Sequence, residues 1–304
     1  MIARILLHLG LACLSSLLTL GVPSDVQAQT DGPPRTVHVA ILMYHYISTN
    51  PQWPQDILRT HLSVTPRAFA AQLNYLRQAG YTTITLDDLV HALRDDVALP
   101  AKPIILTFDD GYQDFYDNAY PLLRQFHDQA TIYIITGKAG HAGYMTWDEL
   151  RKLAASPLIT IGAHTRTHPD LRTLTAARSW NELEGSKVDL ERELGRPVRH
   201  FAYPSGEYNQ TVLDQLAELG FETAVTTHEG LSETSDRLLT LMRVRVNGYT
   251  GLADLIAGLK GQRSIRHPLP ALSVARQTCW SQIAQQLVPC TARLRYQASS
   301  SLPR

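Results

Sequence analysis

An α/β fold is predicted, a barrel-like domain over about residues 36–250, and two observations predict it. Apolar, strand-like runs alternate with amphipathic, helix-like segments along most of the chain, the pattern of a sheet with helices packed on its faces. No internal repeat and no low-complexity linker divides that stretch of the 304 residues, so a single domain accounts for it.

The elements follow in order. Residues 37–45, VHVAILMYH, read as the first strand. After a proline-containing loop, TPRAFAAQLNYLRQAG (65–80) reads as a helix, with Thr65 as N-cap, Pro66 at the first position, Phe69, Leu73 and Leu76 on one face, and Gly80 beyond its end. YTTIT (81–85) is a short strand and LDDLVHALRD (86–95) a short amphipathic helix. The run through Ile104, Ile105, Leu106 and Phe108 is a buried strand, followed by a helix around AYPLLRQFH (119–127) and the strand ATIYIIT (130–136). TWDELRKLAA (146–155) opens with Thr146 and Glu149 at capping-box spacing. PLITIGAH, a long polar helix over 175–194, RHFAYP, the helix NQTVLDQLAELG and the strand FETAVTT complete the alternation.

The two ends differ from this core. Arg4 precedes an apolar run over residues 5–22, and VQA ends at Ala28 with the small-x-small look of a cleavage site. Residues 1–28 are expected to be a secretory signal peptide, which places the mature chain, from near Gln29, in the periplasm or outside the cell. The run also approaches the ~17 residues at the low end for a spanning helix, so an uncleaved segment would be a membrane anchor. The tail, 251–304, holds one apolar helix, GLADLIAGL, and the pair Cys279 and Cys290. In an oxidising compartment that pair suggests one disulfide, with two free buried thiols as the alternative. Lys plus Arg and Asp plus Glu both number 28 and no basic run stands out, which excludes a nucleic-acid surface held by counterion release and favours a neutral or polar partner.

Two short stretches carry chemistry. In ILTFDDGYQD (105–114) a buried strand ends in adjacent carboxylates, Asp109 and Asp110. An isolated Asp-Asp-Gly reads first as a surface turn that caps the strand. Successive strand residues point to opposite faces, so the two acids serve one site only if the chain turns there, and Gly111 permits the turn. One acid is then able to bind a cation while the other handles a proton. In IGAHTRTHPD (161–170), His164 and His168 are four apart, but Thr165 and Thr167 are β-branched and Pro169 disfavours helix at His168, so a curled loop after a strand is expected. Two imidazoles and one carboxylate make a three-ligand metal set with open positions.

TFDDG (107–111), then HTRTH (164–168), with MTWDEL (145–150) and FAYPSGEYN (201–209), resembles the polysaccharide deacetylases, the NodB-homology or family 4 carbohydrate esterases, over roughly Ile41 to Val246. The resemblance implies a distorted (β/α)7 barrel of that type with a short C-terminal helical tail. It implies a divalent metal held by Asp110, His164 and His168, Zn2+ first with Ni2+, Co2+ or Fe2+ as alternatives, and Asp109 as catalytic base. An acetylated polysaccharide is the implied substrate, and cell-envelope or polysaccharide-export machinery a conceivable partner.

This chain departs from the family pattern twice. Many members carry an arginine in the third motif, where Ala202 stands here and Arg199 is nearby. Many take a general acid from a late Leu-x-His, and the corresponding LTLMRVRVNG has no histidine. ILMYHYI (41–47) resembles the subgroup that N-deacetylates poly-β-1,6-N-acetylglucosamine, in which the acid histidine sits on this early strand. His45 is therefore the candidate acid, with His200 and His228 behind it. Tyr112, Tyr144, Trp147, Tyr203 and Tyr208 flank the motifs and, with Pro204, are candidates for substrate contact, Tyr112 also through its backbone N–H. Deacetylation of peptidoglycan or chitin-type oligomers, or non-catalytic carbohydrate binding on the same barrel, are the alternatives.

Overall fold

The computed structural model of the protein describes residues 33–49 and 57–262. The segment 1–28 and the two tail cysteines, Cys279 and Cys290, lie outside the described residues. Among the described residues the main sheet has eight strands. Seven run in line across it, β1 (Ala40–Tyr44), β2 (Pro103–Phe108), β3 (Ala130–Ile134), β4 (Ile159–Ala163), β5 (His200–Ala202), β6 (Thr223–Val225) and β7 (Val244–Arg245), and the short strand Thr82–Thr83 pairs with the start of β2. The spatial order of the seven is β6-β5-β4-β3-β2-β1-β7, and every neighbouring pair is parallel. The two ends of that order meet. Leu241 bridges Val225 in parallel, with Leu241 N–H donating to Ala224 and Thr226 N–H donating to Leu241, each at 2.9 Å. Residues 241–245 thus pair with β6 at one end and β1 at the other.

Helices fill the connections: α1 (Pro66–Gln78), α2 (Leu86–Asp95), α3 (Tyr120–Phe126), α4 (Trp147–Ala154), α5 (Ala176–Leu194), α6 (Gln210–Glu218) and α7 (Leu252–Leu259). Their starts are chemically marked. Thr65 accepts from Ala68 N–H at 3.2 Å, and Thr85 with Asp88 and Thr146 with Glu149 form reciprocal capping boxes. Each such cap contributes about 1 kcal/mol.

Both faces of the strands are buried, which is why they read as continuous apolar runs. Ile41, Ile105, Tyr133, Ala202, Val225 and Leu241 point into the barrel, where Leu86, Leu89, Val90 and Leu93 of α2 join them. Ile84 N–H donates to Ile104 at 2.9 Å, so α2 plugs the end at which the strands begin and leaves the opposite end for chemistry. Leu42, Tyr44, Leu106, Phe108 and Ile132 face outward onto Phe69 and Leu73 of α1 and the other helices. The interior depends on one glycine. A Cβ on Gly162 would lie 2.5 Å from the Tyr133 ring and 2.9 Å from the His200 carbonyl, so only glycine lets that ring lie across β4.

The strand expected over 37–45 is two strands. Thr36–His38 pairs antiparallel with Ser232–Thr234, and Val39 N–H donates to Leu231 at 2.9 Å before the chain enters the barrel at Ala40. That exchange of partners arises from a loop nearly two hundred residues later and leaves no local trace.

Candidate active site

Asp109 continues the inward register of Ile105 and Thr107 just past β2, and its N–H still donates to Tyr44 at 3.0 Å. A straight strand would send Asp110 outward. Asp110 and Gly111 instead take φ values of 77° and 81°, and the turn brings both carboxylates to the open end of the barrel. A left-handed Asp costs on the order of 1–2 kcal/mol, a strain held by the surrounding fold.

His164 follows β4 and is buried. Its Nδ1 lies 2.7 Å from the Ala202 carbonyl, which can only accept, so Nδ1 carries a proton, and Nε2 is the nitrogen that bonds Asp110 when protonated and becomes a metal ligand once it gives that proton up. That Nε2 is 3.4 Å from Asp110 Oδ1, and His168 Nε2 is 3.6 Å from the same oxygen. The connecting loop is curled as expected, with Thr165 at φ 63° and His168 at φ 62°. Thr165 Oγ1 closes it by accepting from His168 N–H at 2.9 Å.

The ligating atoms of Asp110, His164 and His168 all lie within 4.8 Å of one another. Burial, reinforced by His164, lowers the His168 pKa to about 4, so its imidazole is neutral at pH 7. Burial pushes Asp110 upward, but its hydrogen bond to His164 and the neighbouring imidazoles outweigh this and keep it ionised. Two imidazole nitrogens and one carboxylate of this kind suit a borderline divalent cation such as Zn2+.

Asp109 is held differently. Arg243 donates Nη1 to Oδ1 and Nη2 to Oδ2, both at 2.8 Å, in a pair of parallel charge-assisted bonds. The same guanidinium donates Nε to the Thr226 carbonyl at 2.7 Å and Nη1 to Thr107 Oγ1 at 3.2 Å, and Thr107 in turn donates to Leu42 at 2.7 Å. The Arg243 side chain is 0% exposed. Burial would raise the Asp109 pKa, and Arg243 overcomes it and keeps the carboxylate ionised. His45, one residue past β1, places Nε2 3.8 Å from Asp109 Oδ2. Burial lowers its pKa despite the two nearby carboxylates.

Arg243 was not among the residues singled out in the sequence. The arginine considered, Arg199, is exposed and pairs with Glu222 at 3.4 Å. The signal for Arg243 was present in LTLMRVRVNG, where Leu241, Arg243 and Arg245 alternate as one face of a strand. A charge on an inward face requires a partner.

The other candidates fall in distinct places. His200 sits at the start of β5 with Nδ1 2.9 Å from Thr223 Oγ1 and Nε2 3.2 Å from Asp87, toward the plugged end. His228 turns its ring toward Tyr208 and meets Arg243 through its carbonyl. Tyr112 lies between Tyr46, stacked at 3.7 Å, and Tyr144 at 5.1 Å, and Arg59 covers Tyr46 at 4.6 Å. Trp147 is half-buried at the first position of α4. Tyr203 corrects the sequence expectation. It is 1% exposed, its hydroxyl donates to the Leu239 carbonyl at 2.8 Å, and Phe201 packs on its ring, so it presents no platform. Pro204 beside it is also buried, at the start of the tight helical turn Pro204–Gly206 that follows β5.

The polysaccharide deacetylase family profile matches residues 96–224, the span that holds both acids and both histidines. YxkH of Bacillus subtilis, a polysaccharide deacetylase by assignment, is 32% identical over 214 residues, 70% of this chain and 73% of that protein. The poly-β-1,6-N-acetyl-D-glucosamine N-deacetylase of Escherichia coli K12 is 26% identical over 236 residues; the match takes in 64% of this chain and only 35% of the relative's length. The Streptococcus pyogenes deacetylase PplD, solved with acetate, superposes with a TM-score of 0.68 at 31% identity, covering 74% of this chain and 99% of that one. Identity above 30% over more than two thirds of both YxkH and PplD, with the family profile across the site, shows that the chain belongs to the polysaccharide deacetylase family, hydrolases that act on N-acetyl amide bonds.

Proposed function

We propose that the protein removes N-acetyl groups from poly-β-1,6-N-acetylglucosamine by metal-dependent hydrolysis. The observation that carries this is the division of labour between the two acids. Asp110 joins His164 and His168, while Asp109 is held apart by Arg243 and faces His45. A divalent cation on Asp110, His164 and His168, Zn2+ first, would supply Lewis acidity toward the acetamide carbonyl and a water of pKa roughly 7.

The chain's own groups do the rest. Asp109, ionised and fixed in plane by Arg243, takes the proton of the attacking water. The water oxygen bonds to the carbonyl carbon, and the Tyr112 backbone N–H, just past the turn, serves the developing oxyanion. His45, 3.8 Å from Asp109, delivers a proton to the leaving nitrogen; the burial that lowers its pKa makes its protonated form a stronger acid. The C–N bond breaks, giving acetate and a glucosamine unit.

Two features support the β-1,6 polymer over β-1,4-linked peptidoglycan or chitin-type chains: the relative from Escherichia coli that bears that activity in its name, and an early-strand histidine at Asp109. A non-catalytic binding module would have no use for a buried arginine dedicated to Asp109. The test is acetate release from β-1,6- and β-1,4-linked N-acetylglucosamine oligomers by Zn2+-loaded protein. Faster release from the β-1,6 series is expected. A preference for β-1,4 oligomers would reassign the substrate, and binding of either without acetate would favour the binding module.

A further inference from the structure

His168 and Thr165 hold positive φ without being glycine, a conformation that a short exposed loop does not keep unaided. Two sets of contacts grip this loop. From one side, the N–H groups of Thr136 and Gly137 donate to the carbonyls of Thr165 and Arg166 at 3.1 and 2.9 Å. From the other side comes one face of α5. Glu182 Oε2 accepts from the N–H groups of Arg166 and Thr167, each at 2.9 Å, and its Oε1 accepts from the Thr167 hydroxyl at 2.7 Å. One turn on, the Arg166 side chain lies across Gly185, where a Cβ would come within 2.5 Å of Nε. The guanidinium then donates Nε and Nη2 to Asp189 at 2.9 and 3.0 Å, and Asp189 also accepts from the Thr136 hydroxyl at 3.2 Å. Residues 182, 185 and 189 share one helix face.

The backbone N–H groups of Arg166, Thr167 and His168 therefore each have a defined acceptor: Glu182 takes those of Arg166 and Thr167, and Thr165 Oγ1 takes that of His168. None of these groups reaches the three ligating atoms. Their common effect is on where the His168 ring lies relative to Asp110 and His164.

We propose that Glu182 is a positioning residue for His168, and that Glu182, Gly185 and Asp189 form a seat on α5 that sets the affinity of the site for its divalent cation. This rests on the metal site proposed above. An unfastened loop would spend part of its time with His168 out of place, and apparent affinity falls with the fraction in the competent conformation.

The experiment measures the Zn2+ dissociation constant of the full chain by competition with a chromophoric chelator, alongside the thermal midpoint of the metal-free protein. Glu182→Ala is expected to weaken Zn2+ binding about 10- to 100-fold, as loss of a ligand-orienting partner typically does. Glu182→Gln should recover most of that loss, because an amide oxygen still accepts the two N–H groups and its NH2 can donate to the Thr167 hydroxyl. Gly185→Ala places a better helix former in α5 and pushes Arg166 off Asp189. It should weaken Zn2+ binding several-fold while the metal-free midpoint holds or rises, and it keeps the test open if Glu182→Ala does not fold. Wild-type affinity in both Glu182→Ala and Gly185→Ala would overturn the seat. Equal weakening by Glu182→Ala and Glu182→Gln would overturn it in favour of a simple charge effect. Failure of the wild-type protein itself to bind Zn2+ would instead remove the metal site, and the seat with it.

Discussion

Arg243→Met is expected to lower both stability and turnover by large amounts. The substitution leaves Asp109 as a buried carboxylate without its partner, and breaking a buried pair on one side costs about 3–5 kcal/mol. It also frees Asp109 to rotate, and misplacement of a reacting group by about 1 Å is worth roughly 10^2 in rate. Arg243→Lys separates the two effects. A lysine keeps the charge but cannot make the parallel bonds to both carboxylate oxygens or reach Thr226 and Thr107 as well. Stability should return in part while turnover stays low. The double variant Arg243→Met with Asp109→Asn should unfold at higher denaturant than Arg243→Met alone, because the orphaned charge is gone. Denaturant midpoints and acetate release on the four proteins decide this. Wild-type turnover in Arg243→Met would show that Asp109 does not depend on the arginine.

Asp109→Asn is expected to lose activity by about 10^2- to 10^4-fold, the range for removal of a general base. Its distinguishing feature is what it spares. Asp110, His164 and His168 are untouched, so Zn2+ binding should stay near the wild-type value, whereas Asp110→Asn should lose the metal and the activity together. Near wild-type acetate release from metal-loaded Asp109→Asn would take Asp109 out of the chemistry.

Much of the barrel was legible because its determinants are local. Thr65, Thr85 and Thr146 mark helix starts with side chains that bond three residues on, and the apolar runs of β2 and β3 announce burial on both faces. The clustering of Asp110 with His164 and His168 was legible for a similar reason: the two histidines sit on one short loop, and Asp109, Asp110 and Gly111 on one turn. What escaped was set by distant partners. Arg243 lies 134 residues from Asp109 and belongs to the strand that closes the barrel, so only its place on an inward face pointed to it. The break at Val39 depends on Leu231, and the burial of Tyr203 on the carbonyl of Leu239. The seat on α5 was invisible for another reason. Glu182 and Asp189 read as ordinary charges of a long polar helix until the histidine loop is laid against them.

The measurement that bears most directly on the central claim is acetate release as a function of bound Zn2+, starting from metal-stripped protein and titrating to saturation. Release should be absent at the start and rise in proportion to bound metal up to one equivalent. Acetate release by metal-free protein, or saturation of the three-ligand site with no release from any N-acetylglucosamine oligomer, would contradict the claim that this site is a metal-dependent deacetylase.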